Sequence, residues 1–133
     1  MKKSSILFII LFLVFTSCYA KQNLEAKMTY KSVSMEEGLK LMQSDKDFVL
    51  LDVRTLEEYN AGHIPNALLF TNEIFTKADA EKLIPNKDTT IYVYCRSGRR
   101  SKQASEKLVA LGYRNVIEIG GILDYKDEMK IGK

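Results

Sequence analysis

The chain has 133 residues, enough for one domain and too few for two of ordinary size. It carries 20 basic and 17 acidic side chains, for a net charge of +3. Setting aside Lys2 and Lys3 leaves 18 basic residues against 17 acidic ones, so there is no broad basic face and nucleic acid is excluded as an expected partner.

Lys2 and Lys3 precede Ile6 to Phe15, ten residues without a polar side chain. A helix of that length spans about 15 Å, half of a bilayer core of about 30 Å. Residues 1–20 are therefore read as a signal peptide and the chain as exported, with a periplasmic location expected. Two kinds of processing stay open. One is cleavage after Ala20. The other is lipidation at Cys18, because Phe15-Thr16-Ser17-Cys18 resembles a bacterial lipoprotein box; such a lipid would be the only attachment to a membrane. In both cases one of the two cysteines, Cys95, is left as a free thiol with no internal disulfide. A lone thiol in an oxidising compartment is either buried or used.

Residues 21–29 are polar and without periodicity and read as a tether, followed by a domain over 30–133. Ser34 and Glu37 have capping-box spacing ahead of a helix from Met35 to Gln43. Phe48-Val49-Leu50-Leu51 is apolar on both faces and predicts a covered strand ending at Asp52. Thr55 and Glu58 form a second capping box, opening a helix that stops near Gly62. Ala67 to Phe70 predicts a short strand and Ala78 to Ile84 a helix ending before Pro85. Thr90 to Tyr94 is rich in β-branched and aromatic residues and predicts a strand. Helical spacing resumes from about Ser101, with Ala104, Leu108 and Leu111, and Gly112 suits the position just past the helix end. Asn115 to Ile119 predicts another strand, closed by Gly120-Gly121, and a last helix is expected over Ile122 to Met129.

Strands alternating with helices predict an α/β fold with a parallel sheet flanked by helices on both faces. Ligands of such sheets bind at the carboxyl ends of the strands, where Cys95 falls.

The chemistry is concentrated in Cys95-Arg96-Ser97-Gly98-Arg99-Arg100-Ser101, which joins a predicted strand to a predicted helix. Backbone N–H groups turned inward by such a loop, together with the helix N-terminus, form an anion nest that favours a thiolate and would equally hold a persulfide. Gly98 permits the tight turn. The arginines attract an oxyanion. Asp52, at a strand end, suits a turn role or support of the catalytic loop. Arg54 and Glu58, four apart, read as an ion pair. His63, the single histidine, reads as a hydrogen-bonded turn residue beside Gly62 and Pro65.

This loop resembles the active-site loop of the rhodanese (thiosulfate sulfurtransferase) family. Leu50-Leu51-Asp52-Val53-Arg54, then Glu58-Tyr59, then Gly62-His63-Ile64-Pro65-Asn66-Ala67 resemble the segments that precede that loop in the family. Gly120-Gly121-Ile122 resembles its closing motif, with Tyr125 where a Trp often follows. The resemblance covers about residues 30–130. It implies that Cys95 is the sulfur-carrying nucleophile, taking sulfane sulfur from a donor such as thiosulfate and passing it to cyanide or a thiol. It implies that Arg96 and Arg100 bind the donor's oxyanion, that the loop from Arg96 to Ser101 forms the substrate site, and that Asp52 and Arg54 support it. No metal and no organic cofactor are implied. A monomer is the working expectation.

Two rival functions follow from related proteins. One is a persulfide carrier or binding module without turnover, although inactive domains of this kind usually lack the cysteine. The other is a phosphatase or arsenate reductase, whose loop counts a Cys, five residues and an Arg; here that place is Ser101, and Arg100 arrives one residue early.

Overall fold

The computed structural model describes residues 29–132. The expected signal peptide, Cys18 and all of the expected tether except Thr29 lie outside them. Five strands form one sheet: β1 (Lys31–Ser32), β2 (Phe48–Asp52), β3 (Leu68–Leu69), β4 (Thr90–Cys95) and β5 (Asn115–Gly121). The described helices are α1 (Met35–Ser44), α2 (Leu56–Ala61), α3 (Lys77–Leu83) and α4 (Arg99–Ala110). The strand order is β1-β5-β4-β2-β3, and every pairing is parallel.

The apolar runs fill both faces of this sheet because alternate side chains point to opposite sides. Ile91, Val93 and Cys95 of β4 join Leu51, Ala80, Ala104 and Leu108 in the core beneath α3 and α4. Tyr92 and Tyr94 of the same strand join Leu50, Met35, Ile64 and Ile119 beneath α1 and α2. The expected α/β architecture is therefore the observed one.

The helix starts follow local chemistry. Ser34 accepts from the Glu37 amide and caps α1. Thr55 and Glu58 form a reciprocal box at α2, and Thr76 with Asp79 forms another at α3. The α3 box, with Asp rather than Glu at its third position, was not among the expected caps.

Two expectations are corrected, and one strand was not foreseen. Ile122 to Met129 is not a helix: a 3-10 turn covers Ile122–Asp124, and Tyr125 is extended. The segment beyond bends at Asp127 and is then tied back, because Lys130 and His63 exchange backbone hydrogen bonds of 2.9 Å in an antiparallel bridge. Second, α4 begins at Arg99 rather than Ser101, since the chain enters it directly from a left-handed turn at Gly98. The unforeseen strand is β1, which adds an edge beside β5 with Ser32 opposite Glu118; two residues are too short to leave a periodic pattern.

Candidate active site

β4 runs through the middle of the sheet and delivers Cys95 at its carboxyl end, opposite Gly121 of β5. The residue is buried, at 1% exposure. The loop that follows turns back over the sulfur. Gly98, at φ +107°, directs its N–H onto Cys95 Sγ at 3.0 Å. Ser101, in the first turn of α4, brings its hydroxyl to 3.5 Å from the same sulfur. Burial pushes the thiol up; the Ser101 hydroxyl and the N–H groups of Ser101, Gly98 and Ser97 more than offset it, and the net shift is downward. The expected amide nest is thus present, with the helix N-terminus behind it.

The loop has to pass very close to β5. A β-carbon on Gly121 would lie 2.1 Å from the Arg96 carbonyl oxygen and 2.6 Å from Ser97 Cα. The Arg96 carbonyl also accepts from the Leu123 amide at 3.3 Å. Gly121, at the end of β5, therefore gives the Cys95 loop the space it occupies.

The arginines divide. Arg96 and Arg99 are exposed, and neither side chain has a hydrogen-bond or ion-pair partner among the described residues. Arg100, expected to bind an oxyanion, spends both terminal nitrogens on Glu58, with Nη1 to Oε2 at 2.7 Å and Nη2 to Oε1 at 2.8 Å. Arg100 holds the Glu58 carboxyl down at about 2. The expected Arg54–Glu58 pair does not form. Arg54 lies two residues before α2, outside the helical spacing that pair requires, and turns back to Asp52 instead.

Asp52 and Arg54 form a buried pair, with Nη2 to Oδ2 at 2.7 Å and Nε bridging both carboxylate oxygens. Arg54 also donates to the Gly62 carbonyl at 2.7 Å. Asp52 accepts from the Tyr94 hydroxyl at 2.7 Å, and that hydroxyl accepts from the Ile64 amide at 3.1 Å. The pair therefore shapes the turn over residues 62–65 and fixes Tyr94, the neighbour of Cys95. His63 is buried within this turn; its Nδ1 lies 2.8 Å from the Tyr59 carbonyl, and its ring stacks on that of Tyr59.

One residue beneath the site was not singled out from the sequence. Glu118 of β5 is 2% exposed, with Oε1 2.6 Å from the Ser101 hydroxyl. An acid between Ile117 and Ile119 in a strand covered on both faces was the available signal. Among the described residues, no group of three or more His, Cys, Asp or Glu side chains is placed to hold a metal ion.

A parallel α/β domain that seats a buried thiol at the end of its central strand, within a loop of converging amides, defines a class of cysteine-centred domains. The particular family follows from comparison: the model of the rhodanese-like domain matches residues 34–128, and the chain belongs to that family. The adenylyltransferase and sulfurtransferase UBA4 of Candida albicans is 41% identical over 97 residues, 69% of this chain and 22% of that protein. The thiosulfate sulfurtransferase PspE of Escherichia coli strain K12 is 38% identical over 77 residues, 56% of this chain and 70% of that one. A rhodanese-like domain protein from Staphylococcus aureus superposes with a TM-score of 0.66 at 32% identity, covering 77% of this chain and 99% of that one. The chain spans about a quarter of the length of several curated relatives it matches.

Proposed function

We propose that this member of the rhodanese-like family is a sulfurtransferase that carries sulfur as a persulfide on Cys95. The observation that carries the reading is the convergence of the Gly98 amide and the Ser101 hydroxyl on a buried sulfur whose thiol is shifted toward ionisation. The thiolate attacks the sulfane sulfur of a donor such as thiosulfate. A new S–S bond forms at Cys95, the donor's own S–S bond breaks, and sulfite leaves with the bonding electrons. The loop amides that stabilise the thiolate are equally placed to stabilise the terminal sulfur of the persulfide. A thiol or cyanide then attacks that terminal sulfur and returns the electron pair to Cys95, which predicts ping-pong kinetics. Arg96 and Arg99, exposed at the loop, supply the attraction for the donor's oxyanion, while Arg100 braces the loop through Glu58.

Intact-mass measurement after incubation with thiosulfate tests this, with a Cys95→Ser variant beside it. The expected result is a gain of one sulfur atom, removed by cyanide and absent from the variant. A folded, reduced protein that takes up no sulfur from thiosulfate or from other sulfane donors overturns the reading. Steady turnover separates an enzyme from a carrier that loads once.

For localisation, the basic start and the apolar run over residues 6–15 support export to the periplasm, with or without lipid at Cys18. Mass spectrometry of the mature N-terminus distinguishes a diacylglycerol-modified Cys18 from a free Lys21; an unprocessed Met1 overturns export.

A further inference from the structure

Beneath the sulfur lies a carboxylate whose hydrogen-bonding partners among the described residues include no cation. Glu118 Oε1 accepts from the Ser101 hydroxyl at 2.6 Å and the Gly120 amide at 2.8 Å, and Oε2 accepts from the Ser32 hydroxyl at 2.6 Å. All three donors are neutral. Cys95, Ser101 and Glu118 are each at most 2% exposed. A thiolate at Cys95 beside an ionised Glu118 would place two negative charges in one dry pocket, joined by a single side chain, and like charges so placed disfavour each other's ionisation.

Ser101 has one hydroxyl proton and faces both groups, with Cys95 Sγ at 3.5 Å and Glu118 Oε1 at 2.6 Å. With Cys95 as a thiol, the S–H donates to Ser101 and Ser101 donates to Glu118. With Cys95 as a thiolate, the reversed chain lets Ser101 donate to the sulfur instead of to the Gly98 carbonyl, which it also faces at 2.9 Å: Glu118 carries a proton and donates to Ser101, and Ser101 donates to the sulfur. Both arrangements hold one negative charge. Between them the S–H bond breaks, Ser101 gains that proton and gives up its own, and an O–H bond forms on Glu118.

We propose that Glu118 is a positioning residue for the transfer reaction, taking the Cys95 proton through Ser101 so that the pocket keeps a single negative charge. This deepens the sulfurtransferase reading and rests on it only for its use in catalysis. Cys95 and Glu118 then share one proton across Ser101. Other titratable and charged groups in electrostatic reach are Tyr30, kept protonated by burial and by Glu106 and Glu118, and Arg100, which feels Cys95 but is held by Glu58.

The test is the pH dependence of Cys95 alkylation by iodoacetamide in the full chain, read from the mass of the peptide bearing Cys95. No sulfur donor is involved, so failure here is separable from failure to load sulfur. Two rises separated by a plateau are expected for the parent protein, one for each proton of the pair. Glu118→Gln should give a single rise, at lower pH than the parent's upper step. Ser101→Ala should give a single rise at higher pH, with alkylation at pH 7 slowed about tenfold. Ser32→Ala removes a donor to Glu118 without touching the sulfur, and should keep both rises with the lower one moved to higher pH. A purely structural Glu118 predicts a lowered melting temperature with the profile's shape unchanged. A single rise in the parent protein, superimposable on that of Glu118→Gln, overturns the proposal. If Glu118→Gln does not fold, the parent and the two serine variants decide it: a single rise in the parent protein, or a Ser101→Ala profile identical to the parent's, overturns the proposal.

Discussion

The amide of Gly98 donates to the sulfur of Cys95 at 3.0 Å, and it does so from a backbone conformation, φ +107°, that side chains other than glycine rarely adopt. The two facts are linked, because the left-handed turn is what swings that N–H inward. An alanine there would meet only Gly120 Cα at 3.8 Å and Glu118 Oε1 at 3.9 Å, so space is not the obstacle. The cost is conformational, on the order of 1–2 kcal/mol. Gly98→Ala should rotate the peptide away from the sulfur, slow Cys95 alkylation at neutral pH about tenfold, and lower the melting temperature by a few degrees. Alkylation kinetics and thermal unfolding measure both effects.

Gly121 presents the opposite situation. Its φ of −128° is open to any residue, but the position of a β-carbon is already filled by the backbone of Arg96 and Ser97. A backbone neighbour at 2.1 Å cannot rotate away as a side chain would. Gly121→Ala should therefore displace the Cys95 loop, destabilise the fold by at least about 2 kcal/mol, in the range of an overpacked core, and abolish measurable sulfur loading. Denaturant unfolding and the thiosulfate mass shift give the two readouts. Parent-like loading in Gly121→Ala would show that the loop can move without losing its function.

Much of this arrangement was legible in the sequence because it rests on short-range rules. The apolar runs at Leu50-Leu51 and Ile91 to Tyr94 announced covered strands, and Thr55 with Glu58 announced a helix start. The cysteine, its glycine and the hydroxyl at Ser101 were visible as one loop. The partners of the charged residues were not. Arg54 and Glu58 are four apart, yet the pairs that form are Arg54 with Asp52 and Arg100 with Glu58, the second across 42 residues of chain. Such pairings depend on which elements the sheet brings side by side. The same holds for Glu118, whose partners Ser32 and Ser101 come from an edge strand and a helix that only the folded sheet gathers around it. The failed helix over Ile122 to Met129 has a tertiary partner too, since the chain just beyond it is tied at Lys130 to His63.

Tyr94 ties the buried ion pair to the strand that ends in Cys95. Its hydroxyl donates to Asp52 and accepts from the Ile64 amide. Burial first, and then the Asp52 carboxylate, push the phenol far above its usual range, so it remains a donor at every working pH. Tyr94→Phe leaves the Ile64 N–H without a partner and removes one donor from Asp52, at a cost of about 1–3 kcal/mol. The chain packed against Cys95 is unchanged in shape, so sulfur loading should survive at temperatures where the variant is folded. A loss of loading with no loss of stability would assign Tyr94 a direct part in the chemistry.

The Arg100–Glu58 pair makes stability depend on acid. Arg100, as the principal cause, holds the Glu58 carboxyl at about 2, below its ordinary 4.5, so folding favours the ionised form. The stabilisation is fully present above pH 4.5 and is lost as pH falls from 4.5 toward 2. The Glu58 side chain is 28% exposed, so solvent screening reduces the contribution to on the order of 1–2 kcal/mol. Glu58→Gln should be less stable than the parent by that amount at pH 7 and indistinguishable from it near pH 2, where the parent's carboxyl is half protonated or more. Denaturant midpoints measured across that range decide the matter. A difference that stayed constant with pH would mean that the glutamate acts by shape, through its capping of α2, and that its charge contributes nothing.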